Sequence, residues 1–244
     1  MSDKKVVIVS GGSRGLGREI ALSLAADGYI PVITYINNKD KAEQIVRQIT
    51  DAGGDAAAIK ADVGDFDVVE RLFRDVKKRF GKIDAVINTA AIAILKPLAE
   101  FTPAEFASVL ATNTAGTFNI LQIAAKYLDK GGRILTFSSN VVDTRPVNYT
   151  VYGASKSAVE TMSKIFAKEL RGREITVNVI SPGPTKTEMF LDGKSPEFIA
   201  QTASLSPFGR LGEPEDIYPA VAFLLSPEAA WVNGQVIKVN GGAS

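Results

Sequence analysis

The chain has 244 residues, 45% hydrophobic and 23% charged, an ordinary globular composition with length enough to bury a large core. A net charge of +1 gives no electrostatic reason to expect nucleic acid or an anionic membrane as partner, and the lack of Cys excludes disulfides and thiol chemistry. With no His either, no metal site is expected, and acid/base work must fall to Tyr, Lys, Asp or Glu.

Residues 5–10 are rich in Val and Ile and stop at Gly11-Gly12, a strand ended by a turn. Residues 14–27 carry Leu16, Ile20 and Leu24 at helical spacing and end at Gly28. A strand over 30–35, a helix over 39–52, a weaker strand over 55–61 and an amphipathic helix over 65–80 follow, the last closed by Gly81. A fourth strand spans 83–88. Thr102-Pro103-Ala104-Glu105 has the form of a capping box opening a short helix ahead of a longer one over 113–128. Strands over 132–138 and 175–181 flank a long helix over 151–171. Residues 186–212 read as irregular, 213–225 as a helix and 235–239 as the last strand. Repeated strand–helix units predict a parallel sheet covered by helices on both faces, in one domain over 1–244. The apolar stretch from Val6 to Val9 is too short for a signal peptide, and the longest apolar runs are far below membrane-spanning length. A soluble cytoplasmic protein with no membrane partner is expected.

The first strand runs into Ser10-Gly11-Gly12-Ser13-Arg14-Gly15-Leu16-Gly17, and a helix begins inside that run. Glycines there let backbone N–H groups approach a pyrophosphate, and the helix N-terminus favours the anion. A Gly-rich turn chosen only for packing is the alternative. NAD sites usually place an acid at the end of the second strand for the ribose hydroxyls. Here Tyr35 stands there, followed by Ile36, Asn37, Asn38 and Lys39, so no carboxylate repels a 2′-phosphate. Arg14 or Lys39 could neutralise one, which favours NADP(H) over NAD(H). If both cations are merely solvated surface charges, NAD(H) stays open.

Tyr152 and Lys156 are four apart on a predicted helix and share one face. A free phenol titrates near 10, and lowering that by about three units takes roughly 4 kcal/mol, which a nearby ammonium could supply in a partly dry site. Such a tyrosine can protonate a carbonyl as hydride arrives, or take the proton in reverse. Alone, the pair could be an exposed helix pair. Upstream, however, the fifth strand ends at Ser138-Ser139, where a parallel sheet presents its ligand crevice.

These motifs, in this order, resemble the short-chain dehydrogenase/reductase family over essentially the whole chain. Ser10–Gly17 is similar to the family's Thr-Gly-x-x-x-Gly-x-Gly, Asn88-Thr89-Ala90-Ala91 to its Asn-Asn-Ala-Gly, and Ser139…Tyr152-x-x-x-Lys156 to its Ser…Tyr-x-x-x-Lys. Asn113 lies in Ala-Thr-Asn-Thr-Ala-Gly, and Pro182-Gly183 followed by Thr185 and Thr187 matches the segment at the nicotinamide end. The resemblance implies a Rossmann-type, doubly wound, parallel seven-stranded sheet in three αβα layers. It implies Tyr152 as acid/base, Lys156 lowering its pKa and binding the nicotinamide ribose, Ser139 polarising the substrate carbonyl, and Asn113 holding a water of a proton relay. Gly11, Ser13, Arg14, Gly15, Leu16, Gly17, Tyr35 and Asn37 would meet the phosphates and adenosine, Asp62 and Val63 the adenine, and Asn88 and Ala90 the adenosine ribose. Asp62 could instead form a turn, Asn88 cap a strand end and Asn113 cap a helix. Thr89 in place of Asn is expected to lose a bond bracing the sheet, and Ala91 in place of Gly to crowd the cofactor.

The 186–212 segment is expected to wall the substrate with Met189, Phe190, Leu191, Phe198 and Ile199, hinged at Gly193 and Gly209. Asp143, Arg145, Asn148 and Tyr149 could read a polar substrate. The general likeness is to 3-oxoacyl-carrier-protein reductases, so a 3-oxoacyl thioester or similar small ketone leads, although only scattered cations (Lys126, Lys130, Arg133, Arg171) could receive a carrier protein. The family is usually tetrameric, so a homotetramer is expected, with Ala107, Leu110, Ala158 and Phe166 in its interfaces or in the core. A catalytically silent dinucleotide-binding sensor or scaffold is the competing reading, and a transferase on a similar sheet is a third.

Overall fold

The Val- and Ile-rich runs all become strands in the computed structural model, which describes residues 4–244. They are β1 (Val6–Ser10), β2 (Ile30–Tyr35), β3 (Ala57–Lys60), β4 (Ala85–Asn88), β5 (Arg133–Phe137), β6 (Thr176–Pro182) and β7 (Val236–Val239). Every pairing is parallel, in the order β3-β2-β1-β4-β5-β6-β7. Parallel strands need cover on both faces, and all residues of β1 and β6 are buried accordingly. The chain winds outward through β2 and β3, then restarts on the other side of β1 with β4. That reversal makes a crevice above the carboxyl ends of β1 and β4.

Two apolar clusters fill the space on either side of the sheet. One packs α1 (Gly15–Ala26), α2 (Lys39–Asp51) and α10 (Tyr218–Leu225) through Ile20, Leu24, Ile45, Ile49, Val221 and Leu224. The other packs α3 (Phe66–Phe80), α5 (Gly116–Tyr127) and α7 (Thr150–Glu169) through Leu72, Phe73, Ile120, Ile123 and Ala167. The result is a Rossmann-type, doubly wound α/β fold of three layers. Local signals agree with it. The Asp65 side chain accepts the Val68 N–H at 3.0 Å to start α3, and Gly81 at φ +80° ends it. No helix among the described residues is long and apolar enough to cross a membrane.

Three stretches differ from expectation. The helix expected to begin at Asn113 is the continuation of α4 (Pro103–Leu110), joined to α5 through a π-helical turn, Ala111–Ala115. The capping box at Thr102 and Glu105 does open α4, but Asn113 sits mid-helix and caps nothing. Its side chain instead donates to the Ile92 carbonyl and accepts the Ile92 N–H, each at 2.9 Å, and the extra residue of the π-turn accompanies this outward hold. A short α6 (Val141–Thr144) follows β5. Residues 186–212 are not irregular: α8 (Glu188–Leu191) and α9 (Pro196–Ser204) form, capped by the Thr187 and Ser195 side chains. This segment is clipped at its neck, because Lys186 N–H bonds the Gly212 carbonyl and Gly212 N–H the Pro184 carbonyl, each at 2.9 Å. Neither helix of the segment has a buried residue.

Candidate active site

The crevice is a cleft of about 920 Å³, walled by the β1–α1 loop, the ends of β2 and β3, the loops after β4, β5 and β6, and the α8–α9 segment. Its floor begins with the glycine loop. Gly11 has φ +69°, and a side-chain carbon there would lie 2.9 Å from the Ala90 Cα. A carbon on Gly17 would lie 2.5 Å from both the Gly11 carbonyl oxygen and the Thr89 Oγ1. Only glycine lets the loop fold this tightly under the start of α1. That helix begins without a side-chain cap and with no acid in its first turn, so its leading N–H groups are left for an anion. Loop, helix end and cleft therefore fit a dinucleotide's pyrophosphate.

Arg14, the residue before α1, is exposed at this end of the cleft. Tyr35, Ile36, Asn37 and Asn38 follow along the end of β2, with no carboxylate among them. Lys39 does not reach the cleft; it lies 3.5 Å from Glu43 on α2. The cleft's own acid, Glu188, is held below the usual carboxylate range first by a hydrogen bond from Lys41 and further by the charges of Lys41 and Arg14. Of the two cations considered for a 2′-phosphate, Arg14 alone is in place.

Ser139, Tyr152 and Lys156 converge on the inner wall. Burial pushes the Tyr152 phenol up to about 12, offset in part by a hydrogen bond with the Ser139 side chain. Burial also lowers Lys156 to about 8. The Lys156 ammonium lies 5.7 Å from the Tyr152 ring centroid and donates to the Phe137 carbonyl at 2.8 Å. Desolvation is the largest influence on the phenol.

Asn113, Asn88 and Asp62 are not on the cleft wall. Asp62 accepts the Gly64 N–H at 2.8 Å and makes the turn after β3, while Val63 beside it does reach the cleft. Asn88 and Asn113 belong to a buried thread of side chains under the cleft. Ser10 donates to Asn88 at 2.5 Å, Asn88 to the Thr117 hydroxyl at 3.0 Å, and Thr117 to the Asn113 carbonyl at 2.7 Å. The Asn113 amide then donates to Ser155 at 3.0 Å, and Ser155 to the Tyr152 carbonyl at 2.7 Å. All five side chains in the thread belong to buried residues, and every step is satisfied. Thr117 and Ser155 went unnoticed in the sequence, where nothing marks a core hydroxyl as part of such a thread. The bond expected to be lost at Thr89 is kept in another form, since its hydroxyl donates to the Ser10 carbonyl at 2.5 Å. Ala90 and Ala91 both line the cleft, as do Pro182, Gly183, Thr185 and Thr187 on the far side.

The outer half of the cleft is aromatic and apolar. Phe190 and Phe198 face each other with centroids 6.4 Å apart, and Tyr149 meets Tyr152 edge-on at 6.4 Å. Met189, Leu205, Val147 and Leu95 complete the walls, with Lys194 lying 5.1 Å from the Phe198 centroid. Leu191 and Ile199 do not line it. Of the four residues expected to read a polar substrate, Asn148 and Tyr149 line the cleft, whereas Arg145 and Asp143, the latter paired with Lys238 at 2.9 Å, do not.

Comparison with known proteins agrees with this geometry. A family model described as enoyl-(acyl carrier protein) reductase matches residues 11–244. A short-chain type dehydrogenase/reductase of Picea abies is 42% identical over 248 residues, covering 98% of this chain and 92% of the relative. The chloroplastic NADPH-dependent aldehyde reductase 2 of Arabidopsis thaliana is 41% identical over 253 residues, covering 98% and 93%. A crystal structure of a short chain dehydrogenase from Burkholderia cenocepacia in complex with NADP matches with a TM-score of 0.92 at 34% identity, covering 98% of this chain and 97% of that one. With the glycine loop, the Ser139–Tyr152–Lys156 wall and matches over nearly its full length, the chain belongs to the short-chain dehydrogenase/reductase family.

Proposed function

We propose that the protein is an NADP(H)-dependent oxidoreductase that interconverts a carbonyl and a secondary or primary alcohol, with Tyr152 as the proton donor and acceptor. The observation that carries this is the convergence of Ser139, Tyr152 and Lys156 at the inner end of a cleft whose other end is a glycine loop. The nicotinamide supplies and accepts the hydride. Gly11, Ser13, Gly15, Leu16 and Gly17 hold the pyrophosphate, Arg14 and Asn37 the 2′-phosphate, and Val63 and Ala90 the adenosine. Pro182, Gly183, Thr185 and Thr187 border the nicotinamide end. Support for NADP(H) over NAD(H) comes from the carboxylate-free end of β2 and the placement of Arg14. The Arabidopsis relative's name and the ligand in the Burkholderia structure point the same way.

In the reducing direction the Ser139 hydroxyl positions the carbonyl oxygen and the Tyr152 phenol gives it a proton. A phenol pushed up to about 12 is reliably protonated for this task. The Lys156 ammonium, 5.7 Å from the ring centroid, favours the phenolate left behind. Asn113, Asn88 and the rest of the buried thread hold the helix that carries Tyr152, and Asp62 shapes the turn beside the adenine end.

The paired aromatic walls support a compact ring or aromatic carbonyl as substrate. A 3-oxoacyl thioester has less support. Lys126, Lys130 and Arg133 are engaged by Glu70, Glu174 and the Gly131 carbonyl, so they form no free basic patch for a carrier protein. The same reading includes a homotetramer, because Phe106, Phe118 and Ile165 stand about half exposed on α4, α5 and α7, whereas Phe166 packs on the core.

The test is loss of NADPH absorbance with a panel of aryl, cyclic and acyl-thioester carbonyls, wild type against Tyr152→Phe. Turnover by the wild type and a loss of about two or more orders of magnitude in the variant, within the range of typical general-acid contributions, supports the assignment. Tight NADPH binding with no turnover by either protein across the panel would sink it in favour of the silent sensor.

A further inference from the structure

The end of β5 is fastened to α7 by three hydrogen bonds that the acid/base chemistry does not use directly. Lys156, Glu160 and Ser163 lie at i, i+4 and i+7 and so form one stripe of α7. Each reaches one of three consecutive residues at the end of β5. Lys156 donates to the Phe137 carbonyl at 2.8 Å, Ser138 donates to Glu160 Oε1 at 2.5 Å, and the Thr136 and Ser163 hydroxyls share a bond of 2.9 Å. Ser138 is buried, and its own N–H is held by the Ile180 carbonyl at 2.8 Å. Glu160 forms no ion pair among the described residues, so its carboxylate acts as a hydrogen-bond acceptor and not as a counter-ion. The bond is charge-assisted and correspondingly strong.

We propose that Glu160 is a positioning residue, which through Ser138 sets where Ser139 stands relative to Tyr152 and Lys156. Ser138 lies between the carbonyl that anchors Lys156 and the hydroxyl that meets the substrate. A strand end free to shift at Ser138 would therefore misplace both neighbours at once. Proximity effects are steep on this scale, and a misplacement of about 1 Å costs on the order of a hundredfold in rate. Glu160 touches neither substrate nor cofactor, so its removal acts on kcat and spares cofactor affinity. The kinetic consequence rests on the carbonyl-reductase reading above, whereas the fastening itself does not.

Two measurements separate these. Hydrogen exchange of the Ser138 and Asn140 amides, the latter bonded to the Pro182 carbonyl, reads the fastening without any substrate. Exchange at these two amides is expected to quicken at least about tenfold in Glu160→Ala and Ser138→Ala, with the core amides of β1 unchanged. Glu160→Gln restores protection, because its amide oxygen still accepts the Ser138 hydroxyl. Unchanged exchange in Glu160→Ala overturns the proposal whether or not a substrate has been found. With a carbonyl that the wild type reduces, kcat is expected to fall about tenfold or more in Glu160→Ala. The NADPH dissociation constant stays within twofold, Glu160→Gln recovers most of kcat, and Ser138→Ala/Glu160→Ala is no worse than either single variant. A kcat within twofold of wild type in both single variants overturns it, as does a fall in kcat matched by a general loss of stability that Glu160→Gln does not rescue. A wild type that reduces no carbonyl counts against the functional reading and leaves the exchange result to decide the positioning role.

Discussion

Gly17→Ala probes the cofactor loop at its tightest point. The new carbon would lie 2.5 Å from the Gly11 oxygen and the Thr89 Oγ1, and 2.9 Å from the Gly11 carbonyl carbon. Ordinary contacts begin near 3.4 Å, so loop or helix must retreat by roughly 1 Å. Thr89 cannot simply swing aside, because its hydroxyl bonds the Ser10 carbonyl at 2.5 Å. Overpacking of this kind costs about 1–3 kcal/mol, partly offset by the gain of up to ~1 kcal/mol from replacing Gly in a helix. Net stability should therefore drop by less than about 3 kcal/mol. Binding should suffer more. If the shift removes one charge-assisted bond to the pyrophosphate, worth about 1.5–3 kcal/mol, NADPH affinity falls roughly ten- to a hundredfold. Fluorescence titration of NADPH together with thermal melting measures both. Gly153→Ala is the control: nothing lies within 4 Å of its new carbon, so cofactor affinity should hold and Tm rise slightly. A Gly17→Ala protein that binds NADPH within twofold of wild type would refute the assignment of the pyrophosphate to this loop.

Other outcomes follow from the same geometry. Wild type should bind NADPH more tightly than NADH, and Arg14→Ala should weaken NADPH at least about fivefold with little effect on NADH, given about 1 kcal/mol or more for a phosphate contact; equal affinities in the wild type would remove the case built on Arg14. Lys156 is lowered from 10.5 to about 8 by burial, so as pH falls from about 10 to 8 the unfolded chain takes up a proton that the folded one does not. In the cofactor-free wild type this proton should cost up to about 3 kcal/mol of stability over that fall and none further below it, a contribution that Lys156→Met should lack; parallel urea midpoints for the two proteins would contradict the burial argument. Light scattering should give a mass near four chains, and Phe118→Glu should reduce it; a wild-type monomer would rule out the helix faces as an interface.

Much of the fold was legible because a parallel sheet is buried on both faces. Its strands then appear as unbroken Val and Ile runs, and Val6–Ser10 or Ile30–Tyr35 can hardly be read otherwise. The site was legible where spacing carries the chemistry, as with Tyr152 and Lys156 one helical turn apart. What escaped was tertiary. Asn113 resembled a helix start because Asn favours caps, but its side chain found the Ile92 backbone, a partner 21 residues away, and the helix adapted with a π-turn. Ser195-Pro196 is a cap signal, yet the short apolar helix behind it was masked by the Gly and Ser around it. The state of Tyr152 could not be read at all, since it depends on how dry the pocket is and on a Lys156 proton directed at a backbone carbonyl.

The clipped neck at Pro184, Lys186 and Gly212 bears on how such a protein changes its diet. Because the two ends of the α8–α9 segment are already bonded to each other, its interior is a cassette whose length and sequence can vary without moving the stumps. Doubling a closed loop costs only about 0.6 kcal/mol in entropy, and neither helix inside it contributes a fully buried side chain. Transplanting residues 189–205 from a relative should therefore carry over substrate preference while leaving cofactor choice and proton transfer to the host, which makes this segment the natural unit of recombination in the molecule.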